Sequence, residues 1–192
     1  RNLAELSELL AESPDLSVGL ATDGDADRVG MYDEDGKFVD AHHLILLLIH
    51  YLHKYKGMSG KVVVAFSVSH RVKKMCEAYG LDYEVTKIGF KYIAERMVEE
   101  DVLVGGEESG GIAQKGNIPE RDGIWNGLTI MEFMAKTGKS MTKYPVMNCP
   151  GAPANRSPGI RQSKRIIGCQ FPVQLSIRLK LFMNCFHIIQ TA

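Results

Sequence analysis

Apolar and polar positions change their spacing along the chain, and each spacing predicts a different kind of element. At the start, apolar residues three and four positions apart predict a helix, because such positions share one helix face. Two short apolar runs then flank an acidic loop and predict a pair of strands. The predicted elements of this part are a helix through Leu3, Leu6, Leu9 and Leu10, strands at Ser17–Thr22 and Val29–Tyr32, and Phe38–Val39 after a turn.

From Asp40 onwards, helical and extended segments alternate. Asp40 is the predicted N-cap of a long helix that ends at Gly57, and the β-branched run Lys61–Phe66 predicts a strand buried on both faces. The remaining predicted elements are helix Ser69–Tyr79, strand Tyr83–Thr86, helix Phe90–Glu100 with Ile93, Met97 and Val98 inward, strand Val102–Val104, a polar loop to Asp122 and a helix through Lys136. The alternation predicts an α/β fold, with a mixed, mostly parallel sheet flanked by helices and functional residues in the loops beyond the strand ends.

Composition argues against several classes of function. The chain has 192 residues with 23 basic and 23 acidic side chains, so no bulk attraction to nucleic acid or to an acidic membrane is expected. The longest apolar run, Leu44–Ile49, is much shorter than a membrane span, and the first residues show no signal-peptide pattern. Four irregularly spaced cysteines predict a reduced, cytoplasmic setting.

The charge is divided unevenly at residue 148. Residues 1–147 hold 17 basic and 23 acidic residues, whereas residues 148–192 hold six basic residues and no acidic one. The second segment also holds three of the four cysteines, and its apolar residues have no clear period. It can be interpreted as a basic arm for an anionic partner, as a flexible end, or as the product of a shifted reading frame. We favour the last and expect residues 148–192 to be an atypical basic tail.

The run Asp23-Gly24-Asp25-Ala26-Asp27-Arg28 is the strongest chemical signal in the chain. Alternate residues of a tight loop can converge, and three converging carboxylates require a cation to neutralise them. Oxygen ligands of this kind favour Mg²⁺ before Mn²⁺ or Ca²⁺, and Arg28 offers a planar pair of donors to a phosphate beside the metal. An ordinary solvated turn fits the same residues. An EF-hand does not, because Arg28 stands where that loop needs glycine.

Two further loops carry candidate chemistry. The glycine loop, Gly105–Gly111, combines adaptable backbone with two carboxylates and a hydroxyl, which suits adjacent sugar hydroxyls; a turn with solvated glutamates is the plainer interpretation. The segment Thr86–Lys91 places Gly89 between two lysines at a strand-to-helix junction, where backbone N–H groups and an ammonium favour an anion. A solvated turn fits that segment equally well.

These three motifs, in this order and at this spacing, resemble those of the phosphohexomutases, the phosphoglucomutase/phosphomannomutase family. The resemblance covers residues 1 to about 147. It implies that residues 1–36 are the end of the family's second domain, which carries the metal loop, and that residues 40–147 are its third, sugar-binding domain. The tail from residue 148 is not similar to family sequence.

The resemblance also implies roles for individual residues. Asp23, Asp25 and Asp27 would bind Mg²⁺, with Arg28 beside the phosphate. Glu107 and Ser109 would bind vicinal sugar hydroxyls, although Gly111 stands where the family often has histidine. The other implied substrate-binding residues are Gly89, Lys91 and Lys115. The region after the strand Lys61–Phe66 carries a basic residue for proton transfer in many members, which suggests His70 and Arg71 as catalytic candidates here.

The implied reaction interconverts hexose 1-phosphate and hexose 6-phosphate, of glucose or mannose, through a phosphoserine enzyme and hexose 1,6-bisphosphate. The sequence contains neither the family's Thr-x-Ser-His-Asn-Pro phosphoserine loop nor its Arg-x-Ser-Gly-Thr phosphate clamp. We therefore expect this polypeptide to be inactive alone. The alternatives are a non-catalytic fragment that binds sugar phosphate or metal, and another Mg²⁺-dependent phosphotransferase.

Overall fold

The computed structural model of the chain describes residues 3–144. The tail that the sequence sets apart from residue 148 lies outside the described residues. The helices are α1 (Ala4–Glu12), α2 (Ala41–His50), α3 (Arg71–Tyr79), α4 (Phe90–Glu99) and α5 (Gly123–Thr137). The strands are β1 (Gly19–Thr22), β2 (Val29–Tyr32), β3 (Phe38–Val39), β4 (Lys61–Ala65), β5 (Tyr83–Thr86), β6 (Val102–Gly106) and β7 (Ile112–Gln114).

The strands form two sheets. Strands β1, β2 and β3 make an antiparallel sheet in sequence order, and the second sheet has the order β5-β4-β6-β7. In the second sheet β4 is parallel to both β5 and β6, whereas β7 runs antiparallel to β6. Helices α3 and α4 form the crossovers between the parallel strands, as such connections require. The predicted α/β fold with a mixed, mostly parallel sheet flanked by helices is confirmed.

Helix α2 lies at the centre of the core. Its Asp40 side chain accepts a hydrogen bond from the amide of His43 at 2.8 Å, which is the predicted N-cap. Every residue of Leu44–Ile49 is at most 1% exposed. The helix continues as a π-helical turn over Tyr51–Tyr55. Within the described residues, no helix combines the length and the apolar character needed to cross a membrane.

One hydrophobic cluster joins the first three strands to the rest of the fold. Val29, Met31 and Val39 are buried in the same cluster as residues of α2 and β4. The first sheet therefore packs directly onto the elements that follow it, and the loop between β1 and β2 is held close to the second sheet.

Several predicted element ends are displaced by one or two residues, so that Phe66 lies after β4 and is exposed. Two larger details differ from the prediction. Strand β7 lies inside the segment predicted as a polar loop. The sequence does not indicate it, because three residues after a glycine run are too few to show a period. They form a strand because they pair with β6. Val98 is 73% exposed rather than inward. It stands five positions after the buried Ile93, which turns it about 140° round the helix from the buried face.

Candidate functional site

The loop between β1 and β2 turns tightly and brings its carboxylates together. Ala26 has a left-handed backbone with φ of 58°, and its amide donates to the carbonyl of Asp23 at 3.1 Å. One carboxylate oxygen from each of Asp23, Asp25 and Asp27 lies within 4.8 Å of the others. Three hard oxygen donors at this separation suit a divalent cation.

Two arginines offset part of the negative charge of the three aspartates. Arg28 donates its amide to Asp23 Oδ1 at 3.1 Å and its Nε to Oδ2 at 2.5 Å. Arg121 Nη2 lies 2.7 Å from Asp27 Oδ2. Burial raises the pKa of Asp23, but the hydrogen bonds from Arg28 outweigh it and leave that pKa below its ordinary value. Burial, with the charges of Asp23 and Asp25, keeps the pKa of Asp27 above its ordinary value despite Arg121. The loop therefore keeps an excess of negative charge that favours a cation.

The glycine loop lies directly against the carboxylate loop, the turn of residues 23–28 between β1 and β2. Gly111 forms an isolated antiparallel bridge with Arg28, and the Gly110 carbonyl accepts a hydrogen bond from the amide of Val29 at 3.1 Å. Gly110 has φ of 95°, and a Cβ there would stand 2.7 Å from the carbonyl oxygen of Val29. Only glycine allows this approach, so the main chains of the predicted metal loop and the predicted sugar loop meet here.

The third motif joins the same place through Glu107. This glutamate is 7% exposed, and its Oε1 accepts a hydrogen bond from the amide of Gly89 at 2.9 Å. Gly89 is the N-cap residue of α4, so the anion that this helix start receives is the protein's own carboxylate. Ser109 lies on the glycine loop and Lys91 is the second residue of α4, and both side chains are exposed. Three motifs that are separate in the sequence thus converge in space.

His70 and Arg71 lie in the segment that follows β4. The Ser67 hydroxyl donates to the Glu108 carboxylate, so the carboxyl end of β4 contacts the glycine loop. His70 is exposed immediately before α3, and Arg71 is the first residue of that helix. Arg71 lines a cleft of about 380 Å³ formed by β3 and the first residues of α2. This cleft is bordered by other residues than the three aspartates, so the catalytic role predicted for this pair gains no support from the geometry.

Lys115 lies at the other end of the sheet. Its Nζ is 2.6 Å from Asp101 Oδ1 and 3.0 Å from the carbonyl oxygen of Ser59. Asp101 and Ser59 precede β6 and β4, so these contacts are at the amino ends of the strands, whereas the glycine loop follows the carboxyl end of β6. The substrate contact predicted for Lys115 therefore finds no support in this arrangement.

Arg121 was not among the predicted site residues. It precedes Asp122, which caps α5 by accepting from the amide of Trp125 at 2.8 Å. The next residue, Gly123, donates its amide to the Ala26 carbonyl at 2.9 Å, which holds the start of α5 against the carboxylate loop. Three clustered carboxylates indicate that a second cation is needed besides Arg28. Nothing local in the sequence indicates which one, because the two segments are far apart along the chain.

Comparison with known proteins decides the family. Residues 40–146 match the family described as phosphoglucomutase/phosphomannomutase, alpha/beta/alpha domain III, which is more than half of the chain. The chain belongs to the phosphoglucomutase/phosphomannomutase family. The match contains the glycine loop, Gly89 and Arg121, and the resemblance seen in the sequence is confirmed.

Curated members of the phosphoglucomutase/phosphomannomutase family extend the match in sequence. The phosphoglucosamine mutase of Rubrobacter xylanophilus is 36% identical over 126 residues, which is 66% of this chain and 28% of that protein. The phosphoglucosamine mutase of Moorella thermoacetica is 34% identical over 128 residues, or 66% of this chain and 29% of that protein. This chain thus spans less than a third of the length of these relatives.

Solved structures of the family share the fold. A putative phosphomannomutase from Thermus thermophilus superposes with a TM-score of 0.70 at 37% identity, over 73% of this chain and 32% of that chain. The N-acetylphosphoglucosamine mutase of Aspergillus fumigatus, solved in complex with GlcNAc-6P and magnesium, has a TM-score of 0.56 at 17% identity, over 72% of this chain and 38% of that chain. The second likeness shows the fold alone.

Proposed function

We propose that this chain is part of a Mg²⁺-dependent phosphohexomutase, an isomerase that interconverts hexose 1-phosphate and hexose 6-phosphate. The substrates would be phosphates of glucose or mannose, and the names of the relatives add glucosamine. The reaction would pass through a phosphoserine enzyme and hexose 1,6-bisphosphate. The observation that carries the proposal is the contact between the carboxylate loop and the glycine loop, at the bridge between Arg28 and Gly111.

Asp23, Asp25 and Asp27 would hold the metal ion. Their oxygens lie within 4.8 Å of one another, and the charge they carry exceeds what Arg28 and Arg121 offset. This donor set fits a hard divalent cation such as Mg²⁺. When bound, the ion supplies positive charge that stabilises a transferring phosphoryl group.

The side chains of the glycine loop would orient the sugar. Glu107 is fixed through Oε1 by the Gly89 amide, so Oε2 is held ready to accept a hydrogen bond from a sugar hydroxyl. Ser109 is exposed on the same loop and would bind the neighbouring hydroxyl. Arg28 and the exposed Lys91 would supply cationic donors to phosphate. In this proposal these residues position the substrate, and the phosphoryl donor is the phosphoserine.

A second candidate is a fragment that binds metal and sugar phosphate without catalysis. It is favoured by one observation: the 192 residues contain no Thr-x-Ser-His-Asn-Pro loop to supply the phosphoserine. Both candidates use the same binding residues, and they differ in whether the chain acts as part of an enzyme.

The metal assignment is tested by titrating Mg²⁺ into the chain by calorimetry. Among the described residues Asp25 forms no ion pair, so Asp25→Asn removes a charge from the cluster without breaking an ion pair of Arg28 or Arg121. We expect weak binding by the unmodified chain and at least a tenfold loss in Asp25→Asn, since one of three ligand charges is deleted. Asp15→Asn, at an exposed aspartate outside the loop, is the matched control and should bind as the unmodified chain does. Equal affinity in Asp25→Asn and Asp15→Asn would refute the metal site.

A further inference from the structure

Gly111 has no side chain, and the space that one would occupy is taken by Arg121. A Cβ built on Gly111 would stand 2.6 Å from Arg121 Cδ and 3.3 Å from its Cγ. The first distance is shorter than real side chains tolerate, so one of the two groups would have to move. The aliphatic stem of Arg121 therefore packs onto the bare main chain of the glycine loop.

The guanidinium end of Arg121 is fixed at the carboxylate loop. Nη2 lies 2.7 Å from Asp27 Oδ2, and the guanidinium carbon lies 5.4 Å from the centre of the Phe90 ring. An arginine with a free end could swing away from a new Cβ at small energetic cost. Arg121 also pairs through Nε with Glu120 at 3.4 Å, and it can swing away only by giving up its ion pair with Asp27 and its ring contact.

We propose that Arg121 is a positioning residue that couples the glycine loop to the carboxylate loop, and that this coupling requires glycine at position 111. Its aliphatic stem packs against the main chain at Gly111, and its guanidinium sets the orientation of the Asp27 carboxylate. A side chain at position 111 would push Arg121 off Asp27 and so act on the metal site from the sugar loop. The part of this inference that concerns metal rests on the proposed function.

The sign of the effect on metal binding depends on ionic strength. Removing Arg121 takes away a positive charge near the metal site, which favours a cation. It also removes the shorter ion pair of Asp27 and leaves the one with Arg28 Nε at 3.7 Å, so Asp27 is held less firmly, which disfavours a cation. At about 0.5 M KCl the screening length is roughly 4 Å, so the first effect is weakened, whereas the looser hold on Asp27 does not depend on screening in this way. The binding measurement therefore belongs at high salt.

Four proteins form the test: the unmodified chain, Gly111→Ala, Arg121→Ala and the double variant. Their melting temperatures are compared first, in metal-free buffer. We expect Gly111→Ala to lower the melting temperature by about 3 °C or more in the unmodified chain and by less than about 1 °C in the Arg121→Ala background, where the space is vacant. Equal shifts in the two backgrounds would overturn the proposal, whether or not the chain binds metal.

The same four proteins are then titrated with Mn²⁺ at about 0.5 M KCl, with free Mn²⁺ followed by electron paramagnetic resonance. We expect Arg121→Ala and Gly111→Ala each to weaken binding by threefold or more, and the double variant to bind no more weakly than Arg121→Ala. Arg121→Lys should recover part of the loss because it retains a donor for Asp27. The control is Arg96→Ala. Arg96 lies on α4 and its Nε donates to Glu84 Oε1 at 2.9 Å, so this variant also loses an arginine paired with a carboxylate and should bind Mn²⁺ as the unmodified chain does.

The outcomes separate this inference from the proposed function. Arg121→Ala that binds Mn²⁺ like the unmodified chain at high salt would overturn the positioning role of Arg121. An unmodified chain that binds no Mn²⁺, together with melting shifts that differ between the two backgrounds, would refute the metal function and leave the coupling of the two loops supported.

Discussion

At the scale of single residues, close main-chain approach builds the site as much as ionisable chemistry does. Gly110 has no side chain to contribute, yet its left-handed backbone allows its carbonyl to accept a hydrogen bond from the amide of Val29. Gly116 has the same φ of 95° but stands in open space, with no atom within 4 Å of an added Cβ. The two glycines thus separate the cost of an unfavourable backbone from the cost of a blocked contact.

Alanine at these two positions should destabilise the chain by different amounts. Gly116→Ala meets only the backbone penalty, about 1–2 kcal/mol in the free energy of unfolding. Gly110→Ala meets that penalty and also a clash with the Val29 carbonyl, which adds about 1–3 kcal/mol. Urea denaturation of both variants measures the difference. Equal losses would mean that the glycine loop does not press against β2 in solution.

The aspartates could be predicted from the sequence, whereas Arg121 could not. Convergence of Asp23, Asp25 and Asp27 follows from alternate spacing in a short turn, which is a local property. The ion pair between Arg121 and Asp27 depends on how α5 docks against the first sheet, and no pattern near either residue encodes that docking. The same reason explains why Lys115 stands apart from the site: the antiparallel course of β7 carries it to the far end of the sheet.

At the scale of elements, the long helix from Asp40 could be predicted in its position and its apolar run but not in its internal geometry. Its start and its end near Gly57 follow from the N-cap and the glycine, and its apolar run is the core. The π-helical turn at Tyr51–Tyr55 has no signature in the sequence. It occurs where side chains of the helix end meet an aromatic cluster, with ring centres of Tyr51 and Phe133 4.8 Å apart and His50 Nδ1 2.6 Å from the Tyr79 hydroxyl.

The histidines of this helix should make the fold sensitive to mild acid. Burial lowers the pKa of both His43 and His50 below the ordinary value of 6.5. The unfolded chain therefore binds more protons below about pH 6.5, so the stability that the neutral imidazoles contribute is present above that pH and is lost as the pH falls. We expect the free energy of unfolding, measured in urea, to fall between about pH 7 and pH 5.

Substitution identifies the groups responsible. In the double variant His43→Gln/His50→Gln the free energy of unfolding should depend less on pH over the same range. Glu132 does not interfere, because its pKa is lowered to about 2 and the stability linked to it is lost only below about pH 4.5. A slope unchanged in the double variant would show that other groups titrate on unfolding.

At the scale of the whole molecule, the described residues bring the three family motifs together in space. The matched part covers less than a third of the phosphoglucosamine mutase relatives, and the 192 residues contain no Thr-x-Ser-His-Asn-Pro loop. Family membership could be predicted from three ordered motifs, because motif order survives where overall identity is modest. Substrate preference could not, because the motifs that identify the family do not distinguish one hexose phosphate from another.

The purified chain should therefore show no mutase turnover with glucose 1-phosphate, mannose 1-phosphate or glucosamine 1-phosphate and the matching bisphosphate. Loss of a catalytic nucleophile typically lowers the rate by several orders of magnitude. A coupled assay checks this, with full-length phosphoglucosamine mutase from Rubrobacter xylanophilus as the positive control on the glucosamine substrate. Metal-dependent turnover that persists through a second purification would show that another residue of this chain donates the phosphoryl group.

The shared core has a consequence for how this protein can change over evolution. Val29 and Met31 are buried together with α2 and β4, and the amides of Val29 and Gly123 are bonded across the same boundary. The strand pair that carries the aspartates is therefore not a module that recombination can exchange by itself. A crossover between residues 36 and 40 would join a new metal loop to an apolar surface and a glycine loop shaped for the old one. Successful exchanges should keep the carboxylate loop, the glycine loop and the start of α5 together as one inherited block.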